Sequence, residues 1–136
     1  MKVHRIITAA ALILATSLPL HAAQSDEERL GDIKRTHLMK EDLSVPGREV
    51  VQVRVDIPAG VTAARHKHPG EELVYVIEGA LEYRLDGRLP VTVKAGEVLF
   101  IPNGTHHEVK NVGSGNATEL ATYIVEKGKP LAVLGN

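Results

Sequence analysis

The chain has 136 residues, of which 43% are hydrophobic, and this is enough for one modest domain. It contains no cysteine, which excludes a disulfide framework and a thiolate nucleophile. Sixteen basic and 17 acidic residues give a net charge of −1, and the aromatic residues are three Tyr, one Phe and no Trp. This composition, with neither a basic excess nor an aromatic platform, argues against a nucleic-acid-binding protein.

The first 22 residues have the features of a secretory signal peptide. Lys2 and Arg5 form a basic start, an apolar run follows over residues 6–20, and small residues come at Ala22 and Ala23. The run is shorter than the roughly 20 residues of a membrane-spanning helix. We therefore predict cleavage after Ala22 or Ala23 and export, with a bacterial periplasm as the destination; the alternative is an uncleaved membrane anchor.

Removal of residues 1–22 leaves 14 basic and 17 acidic residues, a net charge of −3. A mildly acidic mature chain is not expected to bind anionic membrane surfaces stably. A small molecule bound inside the fold is the simpler expectation for its partner.

Residues 23–47 form an N-terminal segment with weak signals. Residues 25–28 have the spacing of a capping box, which predicts the start of a short helix. Residues 33–43 fit either type of element, and an edge strand is favoured. Residues 45–47, Val-Pro-Gly, indicate a turn.

From residue 48 the pattern is that of β-strands. Val51, Val53, Val55 and Ile57 alternate with polar residues, which is typical of a half-buried strand. Further strands are predicted over residues 73–77, 81–85, 89–93, 98–101, 105–111 and 118–126, with Gly, Pro or Asn between them. Short strands at this spacing, without a convincing helix, predict an all-β sandwich or barrel over residues 48–127. Residues 128–136 are predicted to be a C-terminal tail.

Three candidate metal ligands lie close together after the first of these strands. His66 and His68 are two residues apart, so on a strand their side chains point to the same face. Pro69 and Gly70 interrupt the strand, and Glu72 follows on the next one. Two imidazoles and a carboxylate suit a divalent transition metal.

Two stretches of the chain resemble the sequence motifs of the cupin superfamily. The first, G-x5-H-x-H-x3-E-x6-G, is matched by Gly60, His66, His68, Glu72 and Gly79. The second, G-x5-P-x-G-x2-H-x3-N, is matched by Gly96, Pro102, Gly104, His107 and Asn111. The resemblance implies a double-stranded β-helix, or jelly-roll barrel, as a single domain after the signal peptide.

The same resemblance implies a metal site formed by His66, His68, Glu72 and His107. One divalent ion per chain is expected, and the ligand types are compatible with Fe, Mn, Ni, Cu or Zn. An oxidoreductase of the dioxygenase type, acting on a small oxygenated substrate that chelates the metal, is common among cupins of this kind. The alternative is a non-catalytic module that binds or senses a small ligand through the metal. No catalytic residue is assigned.

Other residues near the motifs are given secondary roles. His106 is the alternative to His107, because a bulge can shift the register of a strand by one residue. For Tyr123 and Arg54 a position at the rim or in a salt bridge is favoured, and the alternative is that they reach the cavity. Val53, Val74, Val76 and Val109 are expected to line the inside of the barrel.

The strand over residues 73–77 predicts self-association. Counting by twos from Glu72 places Val74 and Val76 inside, so Leu73, Tyr75 and Ile77 point outward. A strand that is apolar on both faces is normally covered on both. A homodimer is therefore expected, with the N-terminal segment as the alternative cover.

Overall fold

The computed structural model describes residues 24–135. The predicted signal peptide lies outside the described residues. Within them, no helix is both long enough and apolar enough to cross a membrane.

The described chain is built from β-strands, as predicted. The strands are β1 (Lys34–Asp42), β2 (Arg48–Ile57), β3 (Thr62–Lys67), β4 (Gly70–Glu78), β5 (Ala80–Leu85), β6 (Val91–Lys94), β7 (Val98–Ile101), β8 (His107–Asn111), β9 (Ala117–Glu126) and β10 (Val133–Leu134). They form two antiparallel sheets, with the orders β1-β2-β9-β4-β7 and β10-β3-β8-β5-β6.

The hydrophobic core lies between the inner faces of the two sheets. On β2, the alternating residues Val51, Val53, Val55 and Ile57 are all buried, as predicted. On β4, Val74 and Val76 are buried while Leu73, Tyr75 and Ile77 are each more than 40% exposed. Alternation therefore assigns the two faces of these strands correctly, because successive side chains of a strand point to opposite sides of the sheet.

The N-terminal segment differs from its prediction at one place. The capping-box contacts form, since the Ser25 backbone N–H donates to Glu28 Oε2 at 2.9 Å and the Glu28 N–H donates to Ser25 Oγ at 3.4 Å. They close a turn, however, and no helix follows. Gly31 has a positive φ of 129° and β1 begins at Lys34, which leaves too few residues for a helix.

The segment predicted as a C-terminal tail takes part in the fold. Val133 and Leu134 of β10 pair with Lys67 and His66 of β3, and Ala132 is buried. The Leu134 backbone N–H also donates to Asp26 Oδ2 at 3.1 Å, which joins the two ends of the described chain. The segment is short, and its four apolar residues 131–134 lie between Pro130 and Gly135, so its sequence has no alternation that indicates a strand.

The start of β4 requires glycine for packing. Gly70 pairs with Val125 of β9, and a Cβ atom added to Gly70 would lie 2.0 Å from the carbonyl oxygen of Ile124 and 2.6 Å from the Cα of Val125. Backbone atoms cannot move aside as a flexible side chain can. Glycine at this position therefore allows β4 to approach β9 closely, two residues before Glu72.

Gly70→Ala should lower the free energy of unfolding by about 2 kcal/mol or more, since the added methyl group forces β4 away from β9. Gly115→Ala is the matched control, because a Cβ at Gly115 meets nothing within 4 Å. Urea denaturation followed by circular dichroism measures both variants. Equal midpoints for the two variants would show that β4 does not depend on this close approach.

Candidate metal centre

The two sheets bring the four predicted ligands to one place in the barrel. His66 of β3 is the direct cross-strand partner of His107 of β8, and His68 follows β3 by one residue. Glu72 approaches from the other sheet, where it lies on β4 between Ile101 of β7 and Tyr123 of β9. The site therefore depends on both sheets and on the Pro69–Gly70 connection between them.

The side chains of the four residues converge. The ring centroids of the three histidines are 4.4 to 5.2 Å apart, and their candidate ligand atoms all lie within 4.8 Å of one another. Glu72 Oε2 lies 3.2 Å from His68 Nε2 and 3.3 Å from His107 Nε2. Ligand atoms about 2.1 Å from a shared ion are themselves about 3.0–3.4 Å apart at octahedral or tetrahedral angles. The carboxylate-to-imidazole spacings thus match those around one ion.

A backbone carbonyl orients each imidazole. His66 Nδ1 lies 2.6 Å from the Ala64 oxygen, His68 Nδ1 lies 2.6 Å from the Leu131 oxygen, and His107 Nδ1 lies 3.0 Å from the Thr105 oxygen. A carbonyl can only accept a hydrogen bond, so each Nδ1 carries the proton and donates it. In all three rings Nε2 is then the free nitrogen, which is the usual arrangement in protein metal sites.

The converging atoms are buried and lack ordinary partners. The four residues are between 2% and 4% exposed, and His68 Nε2 and Glu72 Oε2 have no hydrogen bond within the described part of the chain. A buried polar atom without a partner is costly, and a buried carboxylate more so. A divalent cation would remove this cost for both atoms at once. The residues present therefore fit a metal ion.

The pKa shifts of His66, Glu72 and His107 follow from burial and from the charges that these residues exert on one another. Burial, together with the neighbouring histidines His107 and His68, lowers the pKa of His66 to about 3, so this ring is neutral at pH 7. Burial would raise the pKa of Glu72, but His68 and His107 hold it well below its ordinary value. Burial likewise opposes a charge on His107, but Glu72 raises its pKa.

The structure also separates His107 from its neighbour in sequence. His107 is 2% exposed and faces the other ligands, whereas the His106 side chain is 29% exposed with its Nδ1 4.0 Å from Asp86 Oδ2. The register irregularity of this strand pair falls between Ala63 and His66 on β3 and leaves His107 facing inward. The inward position belongs to His107, as the motif spacing predicts.

Asn111, the last residue of the second motif, has a structural role. Its amide nitrogen donates to the carbonyl oxygens of Ile57 at 2.7 Å and Gly115 at 2.8 Å, and its Oδ1 accepts from the Gly113 N–H at 2.8 Å. These bonds join the end of β2 to the loop after β8. The residue therefore anchors the strand that carries His107.

Comparison with protein-family models identifies the fold family. A model described as a cupin domain matches residues 53–129, which is more than half of the chain. The chain belongs to the cupin family. This confirms the predicted double-stranded β-helix, and it places both motifs inside the matched region.

Cupins of known structure or curated name resemble this chain over most of its length. The oxalate-binding protein of Thermotoga maritima is 29% identical over 96 residues, which are 70% of this chain and 78% of the relative. Oxalate oxidase, solved in complex with the substrate analogue glycolate, is 27% identical with a TM-score of 0.62, and the match covers 87% of this chain and 62% of the oxidase. A germin-like protein of Arabidopsis thaliana (subfamily 2 member 2) is 34% identical over 87 residues, 58% of this chain, but the match spans only 40% of that longer protein.

Within this cupin barrel, Tyr123 is not at the rim, where sequence analysis expects it. It is 1% exposed, and its ring centroid lies 4.6 Å from that of His68. Burial raises the pKa of its hydroxyl, and the charge of Arg35, a residue of β1 whose side chain is 10% exposed, acts in the opposite direction. Arg54, by contrast, forms the expected surface salt bridge, with Asp56 at 3.0 Å.

Glu119 is a buried acid that lies outside both sequence motifs and was not predicted as a site residue. It is 4% exposed, and the Tyr83 hydroxyl donates a hydrogen bond to its Oε2. Burial, together with the charge of Glu72, raises the pKa of Glu119 to about 8. A signal was present in the sequence, because Glu119 shares the inward phase of β9 with Ala117, Ala121 and Tyr123.

Glu119→Gln should flatten the dependence of stability on pH. An acid whose pKa is higher in the folded than in the unfolded state binds more protons when folded, so the stability it contributes falls as the pH rises from about 4.3 towards 8. The wild-type protein should lose up to about 1.4 kcal/mol per pH unit relative to the variant in this window. Glutamine stays neutral throughout and keeps an acceptor for Tyr83.

Urea unfolding of both metal-free proteins at several values between pH 5 and pH 9 measures this difference. The variant should be the more stable of the two above pH 8. Parallel curves would mean that Glu119 is ionised in the folded protein at neutral pH.

Proposed function

We propose that this cupin binds one divalent transition metal ion through His66, His68, Glu72 and His107, and that the ion holds a small oxygenated substrate for an oxidoreductase reaction. The observation that supports this most directly is the convergence of buried, unpartnered ligand atoms from the two sheets. Fe, Mn, Ni, Cu and Zn are all compatible with three imidazoles and one carboxylate.

The charge of the site favours an anionic substrate. A divalent ion with one carboxylate ligand keeps a formal charge near +1, so an enolate or a carboxylate binds better than a neutral molecule. When bound, the metal would polarise a chelating substrate and, as Fe or Mn, supply redox chemistry with dioxygen. The protein would orient the ligands through the carbonyl oxygens of Ala64, Thr105 and Leu131, and would exclude water by burial.

The relatives support a small carboxylate as the ligand. One is named for binding oxalate, and another is an oxalate oxidase with glycolate in its structure. Both molecules carry two neighbouring oxygen atoms, which suits chelation by a metal with two free positions. A dioxygenase-type reaction on such a molecule is the proposed activity.

A second candidate function is metal-dependent binding without turnover. The name of the Thermotoga maritima relative describes a binding protein rather than an enzyme, and this favours the alternative. The four metal-binding side chains are at most 4% exposed, and a site this buried is also compatible with long retention of a bound small molecule. Kinetic measurements separate the two functions.

Metal analysis of the purified protein tests the shared part of both proposals. We expect one divalent ion per chain, and His66→Ala or His107→Ala should remove it because each takes away one of three imidazoles. His106→Ala is the matched control and should retain the metal, since its side chain faces Asp86. If the metal is lost only from the His106 variant, then His106 and not His107 is the metal ligand.

Oxygen uptake and product analysis separate the enzyme from the binding module. The Fe(II)- and Mn(II)-loaded proteins are supplied with oxalate, glycolate, flavonols, diketones and phenolic acids. Turnover that disappears in the metal-free protein supports the oxidoreductase. Tight binding of one of these compounds without turnover supports the module.

Export to a periplasm is part of the proposal, and it is supported by the basic start and apolar run of residues 1–22. Expression in bacteria with fractionation, followed by mass analysis of the N-terminus, tests it. A mature chain that begins at Ala23 or Gln24 is expected.

We also propose that the cupin forms a homodimer through the outer face of β4 and β7. Leu73, Tyr75, Val98 and Phe100 are between 43% and 74% exposed there, and they line a cleft that also includes Leu120 of β9. Broad apolar surfaces of this kind mark interaction sites. In a symmetric dimer, the apolar face of each copy would cover the same face of the other copy.

Phe100→Glu should convert the dimer to a monomer, because a charge would be buried at the centre of this face. Val112→Glu is the control, since Val112 is similarly exposed at 46% but lies outside the cleft. Light scattering during gel filtration measures the molar mass. A wild-type monomer would refute the proposed interface.

A further inference from the structure

Arg35 holds a buried charge between the metal centre and the surface. It lies on β1 opposite Val55 of β2, and its side chain is 10% exposed. On the inner side its charge acts on Tyr123, whose ring centroid lies 4.6 Å from that of His68. On the outer side it lines an open cleft. Arg35 is therefore one side chain away from a predicted metal ligand.

The cleft is large enough for a small organic anion. Its volume is about 470 Å³, and it lies between β1 and the turn at residues 25–28. The residues that line it are Ser25, Glu27, Glu28, Gly31, Ile33, Arg35 and His37. The potential donors to an anion are Arg35 and His37, which come from one strand two residues apart.

In the structure, a carboxylate oxygen of Glu27 lies within hydrogen-bonding distance of both Arg35 and His37. Glu27 Oε1 accepts a hydrogen bond from Arg35 Nε at 3.0 Å, and it lies 3.0 Å from both Arg35 Nη2 and His37 Nε2. Three donor groups thus share a single oxygen.

This sharing leaves the guanidinium incompletely satisfied. Arg35 Nη2 is buried, and within the described residues it has no hydrogen bond of adequate geometry. An Arg–carboxylate pair is strongest when two parallel bonds join Nε and Nη2 to separate oxygen atoms. Glu27 does not make this paired contact, so a free carboxylate can form with Arg35 a two-bond contact that Glu27 leaves unmade.

We propose that Arg35 and His37 form a carboxylate-binding site, which Glu27 occupies in the absence of ligand and which an anionic small molecule takes over by displacing Glu27. The ligand class is a small carboxylate such as a 2-hydroxy acid or a dicarboxylate. This site extends the proposed function. Only one part rests on that function, namely that the anion bound here is also the substrate of the metal centre. The site itself is defined by residues outside the predicted ligand set.

Isothermal titration with glycolate tests the site, using metal-free and Mn(II)-loaded protein. Glu27→Gln should bind glycolate about tenfold more tightly than wild type, because the competing charge is removed while Arg35 and His37 remain. Glu28→Gln is the matched control. It removes the same charge from the same cleft, but Glu28 contacts the Ser25 N–H rather than Arg35.

Two further measurements identify the donor and exclude a simple charge effect. Adding Arg35→Gln to Glu27→Gln should abolish the gain in affinity. Glycolamide, which is neutral, should bind the wild-type and Glu27→Gln proteins equally.

Hydrogen exchange of the wild-type protein provides a test that needs no variant. The Glu28 and Arg29 amides donate to the carbonyl oxygens of Ser25 and Asp26 at 3.0 and 3.1 Å, within the turn that carries Glu27. Saturating glycolate should speed their exchange, because displacement of Glu27 releases the turn from Arg35 and His37.

The proposal is overturned if Glu27→Gln and Glu28→Gln bind glycolate equally, if no protein binds it in either metal state, or if exchange in the turn is unchanged at saturation. Failure of the proposed function has a different signature. A protein that takes up no metal refutes the metal centre, whereas a Glu27-specific gain in the metal-free protein still supports the anion site.

Discussion

The structure depends on the burial of one carboxylate among three imidazoles. Glu72 is 3% exposed, and its Oε2 faces the Nε2 atoms of His68 and His107 at 3.2 and 3.3 Å. A buried carboxylate is stable only beside compensating positive charge or strong donors. Because the ring protons are engaged at Nδ1 by backbone carbonyls, the facing nitrogens offer lone pairs rather than donors. A divalent cation would resolve this conflict, and the barrel brings the four groups together where one could bind.

The elements around the site explain how it is held in position. The two strands that carry His66 and His107 are direct neighbours, so one register fixes both rings. His68 lies beyond the end of β3, and its orientation depends on the carbonyl of Leu131 in the C-terminal segment. That segment is fastened by β10 and by the bond from Leu134 to Asp26. The predicted ligand His68 therefore depends on a contact with Leu131, a residue more than 60 positions away in the sequence.

Local periodicity and the fixed spacing of the motifs predict part of the fold and most of the candidate site. The inward phases of β2 and β4 could be predicted because alternation is a property of the strand itself. The separation of His107 from His106 follows from motif spacing, and the structure places only His107 among the other three. The residues that Tyr123 and Arg35 meet inside the fold could not be predicted in the same way. Each depends on which strands are neighbours in the sheet, and β1-β2-β9-β4 is not the order of the sequence. Glu119 is the intermediate case, since its inward phase was visible but its partner Tyr83 lies in the other sheet.

The arrangement of charge inside the barrel links these residues into one system. Glu72 contributes to the raised pKa of Glu119, and its charge also acts on Tyr123 and Arg35. A cation about 2 Å from the Glu72 carboxylate would cancel much of the electric field of that carboxylate. The reduction would be felt at residues farther away, because two opposite charges so close together largely neutralise each other there. Glu119 would then ionise more easily, while Arg35 would lose part of its attraction to the interior. In the proposed function, metal binding would therefore change the electrostatic potential at both Glu119 and Arg35.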